Sequence, residues 1–184
     1  MDRSWFKIGH YWLTSAFVIS IFSLLVYAAV QQSYRQSAND PQNQIAEDAA
    51  ATIANGGSVQ SVIASTSINI AQSLAPYVVV YDDLGKPIMG DGILNGSLPS
   101  LPPGVFDYVK TNGEDQFTWE PKSGVRSAVV IVQVPGNSGF VMAGRSLREV
   151  ELRENMLEMM VGALWIFALI GLGVIEAIFL FWTG

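Results

Sequence analysis

Two long apolar runs dominate the hydropathy pattern. Tyr11–Val30 (YWLTSAFVISIFSLLVYAAV) is twenty residues without a charge, and Met159–Trp182 is interrupted only by Glu176. A helix of about 20 apolar residues crosses the hydrocarbon core of a bilayer, so both runs are read as transmembrane helices. Aromatic residues sit at their edges, as in interfacial belts: Trp5, Tyr11 and Trp12 for the first, Phe181 and Trp182 for the second. The basic start (Arg3, Lys7) and the small pair Ala28-Ala29 also fit a signal peptide. The apolar stretch exceeds the usual 7–15 residues of such a peptide, and no small-x-small site follows. An uncleaved signal anchor is therefore expected.

Arg3 and Lys7 precede the first span and only Arg35 closely follows it, which favours a cytoplasmic N-terminus. Arg145, Arg148 and Arg153 lie ahead of the second span and weaken that bias. The resulting organisation is a cytoplasmic N-terminus (1–10), a first span (11–30), an extracytoplasmic domain (31–158), a second span (159–182) and a C-terminus (183–184). The expected location is the cell (inner) membrane, crossed twice. Only Thr183 and Gly184 follow the second span, which leaves no room for a cytoplasmic output domain.

Between the spans the pattern is that of a small α+β domain. Asp40-Pro41 reads as a helix start, Asp as N-cap and Pro at the first helical position. The helix runs to Asn55-Gly56-Gly57. Ser58 is placed to cap a second helix whose stripe is Val59, Val62, Ile63 and Ile70. YVVVY (77–81) is rich in strand formers. Asp82-Asp83-Leu84-Gly85 is a turn, and Lys86–Met89 returns as the second strand of a hairpin. Gly90–Gly104 is rich in Pro and Gly and reads as an irregular loop. Val105–Thr111 makes one or two helical turns. Gln116–Trp119, Val125–Val134 and Phe140–Ala143 are three further strands, with a turn at Gly136–Gly139 between the last two. The nearly continuous apolar run of Val125–Val134 predicts the central, buried strand. Ser146 and Glu149 form a capping box that opens a helix running into the second span. The fold class is thus α+β: a five-stranded, mostly antiparallel sheet flanked by two transmembrane helices.

Composition narrows the chemistry. Ten Lys+Arg against sixteen Asp+Glu give a net charge of −6, and residues 31–158 alone hold eight against fourteen. Such a surface does not suit nucleic acid. There is no Cys and a single His, His10. Thiolate metal sites and cysteine nucleophiles are excluded, and a His-based zinc site or Ser-His-Asp triad has too few residues to build it. Asp82 and Asp83 lack the spacing of a calcium loop. Glu114, Asp115 and Glu120 read as solvated loop charges, and Gly171-x-Gly173 lies within a span, where a phosphate loop has no context. No metal, cofactor or enzymatic activity is expected.

At YVVVYDDLGKPIMGDG, followed by a short helix and three strands, the chain resembles the extracytoplasmic Cache (PAS-like) sensor domains of bacterial receptors. The resemblance covers roughly residues 31–158 and is one of architecture. It implies a long N-terminal helix leaving the first span, a five-stranded sheet with a possible ligand pocket, and a last strand passing into the second span. The cytoplasmic output of such receptors cannot be carried over.

Three groups of residues are candidates for function. Tyr81, Phe106, Tyr108, Trp119 and Arg126 combine aromatics with one cation, as a pocket for an anionic or amphipathic small molecule would; the plainer reading is a packed core with Arg126 paired to a carboxylate. Arg145, Ser146 and Glu149 mark the junction where the last strand becomes the exit helix, as structural elements or as the place where a signal passes. Glu176 sits far along the second span, beside the small residues Gly173 and Ala177. A carboxylate there must be paired, neutral or hydrated. Helix contact through Gly173 and Ala177, with Ser15, Ser20 and Ser23 of the first span as hydroxyl partners, competes with snorkelling to the interface. The functional expectation is a membrane-anchored sensory or ligand-binding module acting through a partner: another membrane protein or a second copy. A non-catalytic accessory or assembly subunit of a larger respiratory or photosynthetic membrane complex is the alternative.

Overall fold

A computed structural model describes residues 3–136 and 139–183. The expected turn residues Asn137 and Ser138, and the chain ends Met1-Asp2 and Gly184, lie outside the described residues. The elements are α1 (Arg3–Ala54), a 3-10 turn (Val59–Val62), β1 (Ile68–Asn69), β2 (Tyr77–Tyr81), β3 (Pro87–Gly90), β4 (Gly92–Ile93), α2 (Pro103–Asn112), β5 (Glu114–Lys122), β6 (Val125–Gln133), β7 (Phe140–Ser146) and α3 (Arg148–Thr183). The chain divides into two units, Met1–Tyr34 with Leu152–Gly184, and Arg35–Glu151.

Gly9–Tyr34 of the first unit, and Arg148–Phe179, which lies in it from Leu152 on, mark helical stretches long and apolar enough to cross a membrane. Their large side chains are turned outward: Phe17, Phe22, Leu24, Phe167 and Ile175 are exposed. In water such surfaces would be driven together; hydrocarbon removes that drive.

In the second unit the five long strands form one antiparallel sheet in the order β3-β2-β7-β6-β5, and β1 pairs with β4 in parallel. Each face of the sheet has its own core. On one, Tyr77, Val79, Tyr81, Val129, Ile131, Phe140 and Met142 pack against Phe106 and Val109 of α2 and against Ile70 and Leu101. On the other, Val78, Val80, Val130, Val132, Val141 and Ala143 meet Ala46, Ala49 and Ala50 of α1. This is why YVVVY and the AVVIV stretch of β6 read as continuous apolar runs: both are buried on two sides.

The hairpin forms as expected. Asp82 Oδ1 accepts from the backbone N–H groups of Leu84 (3.0 Å) and Lys86 (2.7 Å), and Gly85 takes φ +80°. Helix α1 stops at the expected glycines, with Gly56 at φ +85° and the Gly57 N–H bonded to the Thr52 carbonyl at 2.9 Å.

Four expectations are corrected. Asp40-Pro41 does not open a helix; α1 runs through, with Pro41 inside it. The proline removes one donor, but the apolar run before it and the alanines seated on the sheet after it hold both flanks helical. The second helix from Ser58 is only the 3-10 turn, and its stripe is split. Val59, Val62 and Ile63 pack on the α1 side of the sheet and Ile70 on the α2 side. The middle strand is β7 rather than β6, which lies next to it. β7 reads weakly because Ala143 and Gly144 are small; the Ala143 side meets α1 and the Gly144 side meets the ring of Tyr77. Finally, the Ser146/Glu149 capping box does not close. Ser146 Oγ accepts from the Arg148 N–H (3.3 Å), and the Glu149 carboxylate is held by Arg145 at 3.3 Å.

Gly90–Gly104 is better ordered than a loop, because Asp91 organises it. The side chain is 5% exposed. Its Oδ1 accepts from the Val78 N–H (2.7 Å) and its Oδ2 from the Ala64 N–H (2.8 Å). Its backbone N–H donates to the Val78 carbonyl (3.0 Å) and its carbonyl accepts from Ile68 (2.6 Å). One carboxylate thus joins the approach to β1, the start of β2 and the β3–β4 connection.

Candidate functional site

The second unit carries an open cleft of ≈530 Å³ on the α2 side of the sheet. Leu94, Ser97, Leu98, Ser100 and Pro102 line it from the β4–α2 connection, and Trp119 and Pro121 from β5. The lining contains no charged side chain; it is an indole, leucines and prolines with two hydroxyls and one amide. Such a surface suits a neutral polar molecule that stacks one face on Trp119 and hydrogen-bonds to loop groups.

Of the five aromatic and cationic candidates, only Trp119 lines this cleft. Tyr81 is fully buried; its Oη donates to the Pro99 carbonyl (2.9 Å) and lies 3.6 Å from Met142 Sδ. Its ring packs on Phe106 (centroids 5.2 Å), which packs on Phe140 (5.1 Å). These two aromatics therefore hold the wall of the cleft through the Pro99 carbonyl. Tyr108 is 52% exposed on the outer side of α2. Arg126 is on the other face of the sheet: Trp119 pairs with Ser127, one residue further along β6. Its guanidinium meets Glu151 (2.5 Å) and Glu120 (3.7 Å). The expected aromatic–cation pocket is not assembled. The cleft-lining loop residues give no signal in the sequence, because Ser, Leu and Pro in an irregular stretch carry no pattern.

At the β7–α3 junction, Arg145 Nε donates to the Leu74 carbonyl (3.2 Å) as well as meeting Glu149. Arg148 donates to the carbonyls of Ala71 (2.9 Å) and Gln72 (3.4 Å). Two guanidiniums thus grip the segment 71–74, and both are half-open to solvent or more.

In the first unit, Trp165 Nε1 donates to Ser20 Oγ (2.9 Å), and Ser20 Oγ donates in turn to the Ala16 carbonyl (2.8 Å). A side chain grown at Gly173 would meet Trp12 Nε1 at 3.7 Å. Ser15, Ser23, Gly173 and Glu176 are half-buried, while Ala177 is exposed. Ser20 and Gly173 thus take part in the α1–α3 contact.

Two buried phenols dominate the electrostatics of the sheet. Burial pushes Tyr77 up to about 12, with the Ser127 hydroxyl nearby pulling weakly the other way. Burial, and then the neighbouring Tyr77, raise Tyr81 well above the ordinary tyrosine value. The folded form therefore holds these protons more tightly than the unfolded chain. Stability is fully present below pH 10, where both states are protonated, and falls as pH rises through 10 toward 12. Tyr77 alone accounts for about 2–3 kcal/mol of that loss. The check is urea unfolding at pH 9 and 11.5: Tyr77→Phe should flatten the drop. An unchanged pH slope in that variant would show that Tyr77 ionises freely in the fold.

No protein-family model, curated protein or solved structure matches this chain.

Proposed function

We propose that the protein is a two-pass inner-membrane protein whose residues 31–158 form an extracytoplasmic, Cache- or PAS-like ligand-binding domain. It acts as a sensory module through a partner, a second membrane protein or another copy of itself, and not as an enzyme. The observation that carries the reading is the uncharged cleft beside Trp119, in a domain preceded and followed along the chain by helices long and apolar enough to cross a membrane. The element order supports the resemblance: a long helix, a hairpin, a short helix, three strands and an exit helix. The ligand class that fits the lining is a small neutral polar molecule such as a polyol or sugar. The pair of arginines on segment 71–74 lies where occupancy of the domain would reach the exit helix.

A single cysteine supplies the test, because the native chain has none. Ser97 is exposed and lines the cleft. The Ser97→Cys protein in intact cells is expected to react with a membrane-impermeant maleimide, and a bound ligand should slow that reaction. Trp119 is the only tryptophan between residues 31 and 158, and the chain has four others, so the emission lost in Trp119→Phe is the part that reports on the cleft. Polyols and sugars should shift it in the full chain, with Trp119→Phe losing the response. Labelling only after permeabilisation would reverse the topology. A stoichiometric complex that survives detergent washing, with no ligand response, would favour the accessory-subunit reading.

A further inference from the structure

The first unit holds a second recess, unrelated to the cleft. Between α1 and α3 a groove of ≈420 Å³ is lined by Ser23, Leu24 and Tyr27 on one helix and by Glu158, Gly162 and Trp165 on the other. The two helices meet here through the Trp165–Ser20 hydrogen bond, and Gly162 has no neighbour within 4 Å of where a Cβ would be. The groove is graded along its length. Tyr27 and Glu158 stand at one end, three residues from the close of the first apolar run and directly ahead of the second. Ser20 and Trp165 stand seven residues deeper on their helices, ~10 Å by helical rise. A carboxylate and a phenol thus mark the rim; Leu24, Val161, Gly162 and Trp165 line the depth together with the hydroxyls of Ser20 and Ser23, of which Ser20 already accepts from Trp165. Among the described residues Glu158 has no ion pair, although a carboxylate at the edge of hydrocarbon strongly favours a cation beside it.

We infer that this groove binds one lipid with a primary-amine headgroup: the ammonium lies against Glu158 and Tyr27, and the acyl chain runs between Leu24, Gly162 and Trp165. The chemistry selects the headgroup. A primary ammonium has three N–H donors and no acceptor. It meets two carboxylate oxygens, the Tyr27 hydroxyl and the Ser23 hydroxyl, all able to accept. A quaternary ammonium has no donor to offer them, and an anionic headgroup would face Glu158 without a counter-charge. The volume is that of a small-molecule pocket. The groove is only about two helical turns long, too short for a third helix to seat along a whole span. The inference rests on both helices lying in a bilayer but is independent of any ligand in the Trp119 cleft.

The test uses the full chain, reconstituted in bilayers of equal phosphatidylethanolamine and phosphatidylglycerol with matched acyl chains. Native mass spectrometry then counts the lipids retained after detergent stripping. One phosphatidylethanolamine is expected to remain, preferred about tenfold over phosphatidylglycerol, as one charge-assisted hydrogen bond would give. Glu158→Gln keeps the shape and should erase that preference. Gly162→Leu fills the groove and should release both lipids. Equal retention of the two lipids, or a preference unchanged in Glu158→Gln, overturns the inference. So does a co-purifying protein that cross-links to Gly162→Cys in place of lipid, which would make the groove a helix-docking surface.

Discussion

Ile131→Asp is expected to abolish cooperative folding of residues 35–151. Ile131 is 0% exposed on β6, an interior strand flanked by β5 and β7. Its cross-strand partners are Met142 and Asp115. A new carboxylate would enter a core that holds no buried cation among the described residues, directly opposite Asp115. An unpaired buried charge costs several kcal/mol, and like charges across a ladder add to that. Whole-domain stability is about 5–15 kcal/mol, so little would remain. Ile131→Val, by contrast, should lose only about 1 kcal/mol. Limited proteolysis and hydrogen exchange of the full chain distinguish the two. Slow exchange of the β6 and β7 amides in Ile131→Asp would remove β6 from the core.

The second large effect belongs to Asp91. Asp91→Ala strands two backbone N–H groups, those of Val78 and Ala64, in buried or half-buried surroundings. Each unsatisfied donor costs about 1–3 kcal/mol, and bonds to charged acceptors lie at the upper end. A loss of about 3–5 kcal/mol is expected, with Asp91→Asn intermediate because one oxygen remains. Urea unfolding followed through hydrogen exchange of the β2, β6 and β7 amides measures it. A midpoint within error of the parent would mean that water replaces the carboxylate at no cost.

Asp91 also shows where reading a sequence stops. Its partners lie 13 and 27 residues away, so MGDG looks like any polar turn. Asp82, by contrast, bonds within its own turn, and that hairpin was legible in YVVVYDDLGK. Periodicity located the interior strands, because burial on both faces leaves an unbroken apolar run. It could not rank them, and β7, interrupted by Ala143 and Gly144, looked the weaker. Trp119 and Arg126 illustrate a finer limit. Whether two residues on adjacent strands share a face depends on register, and a shift of one position reverses the answer. Here Trp119 stands opposite Ser127, which leaves Arg126 on the far side. Asp40-Pro41 was a sound local start signal, overridden because packing on either side of it keeps one helix running through Pro41. The two long apolar helices were the most legible feature, since length and hydropathy need no tertiary information.

The ring of Tyr77 constrains how this sequence can drift. A Cβ at Gly92 would fall 2.5 Å from its Cδ2, and one at Gly144 would fall 2.4 Å from its Cζ and Oη. The ring occupies the space that two side chains have vacated, so a single substitution at 92 or 144 leaves nowhere for it to go. Positions 77, 92 and 144 are therefore expected to change together: an aromatic residue with two glycines, or a small residue with side chains restored at the other two. Descendants of this sequence that cross between these solutions must pass through a destabilised intermediate. The three positions, distant along the chain, should thus behave as one inherited character.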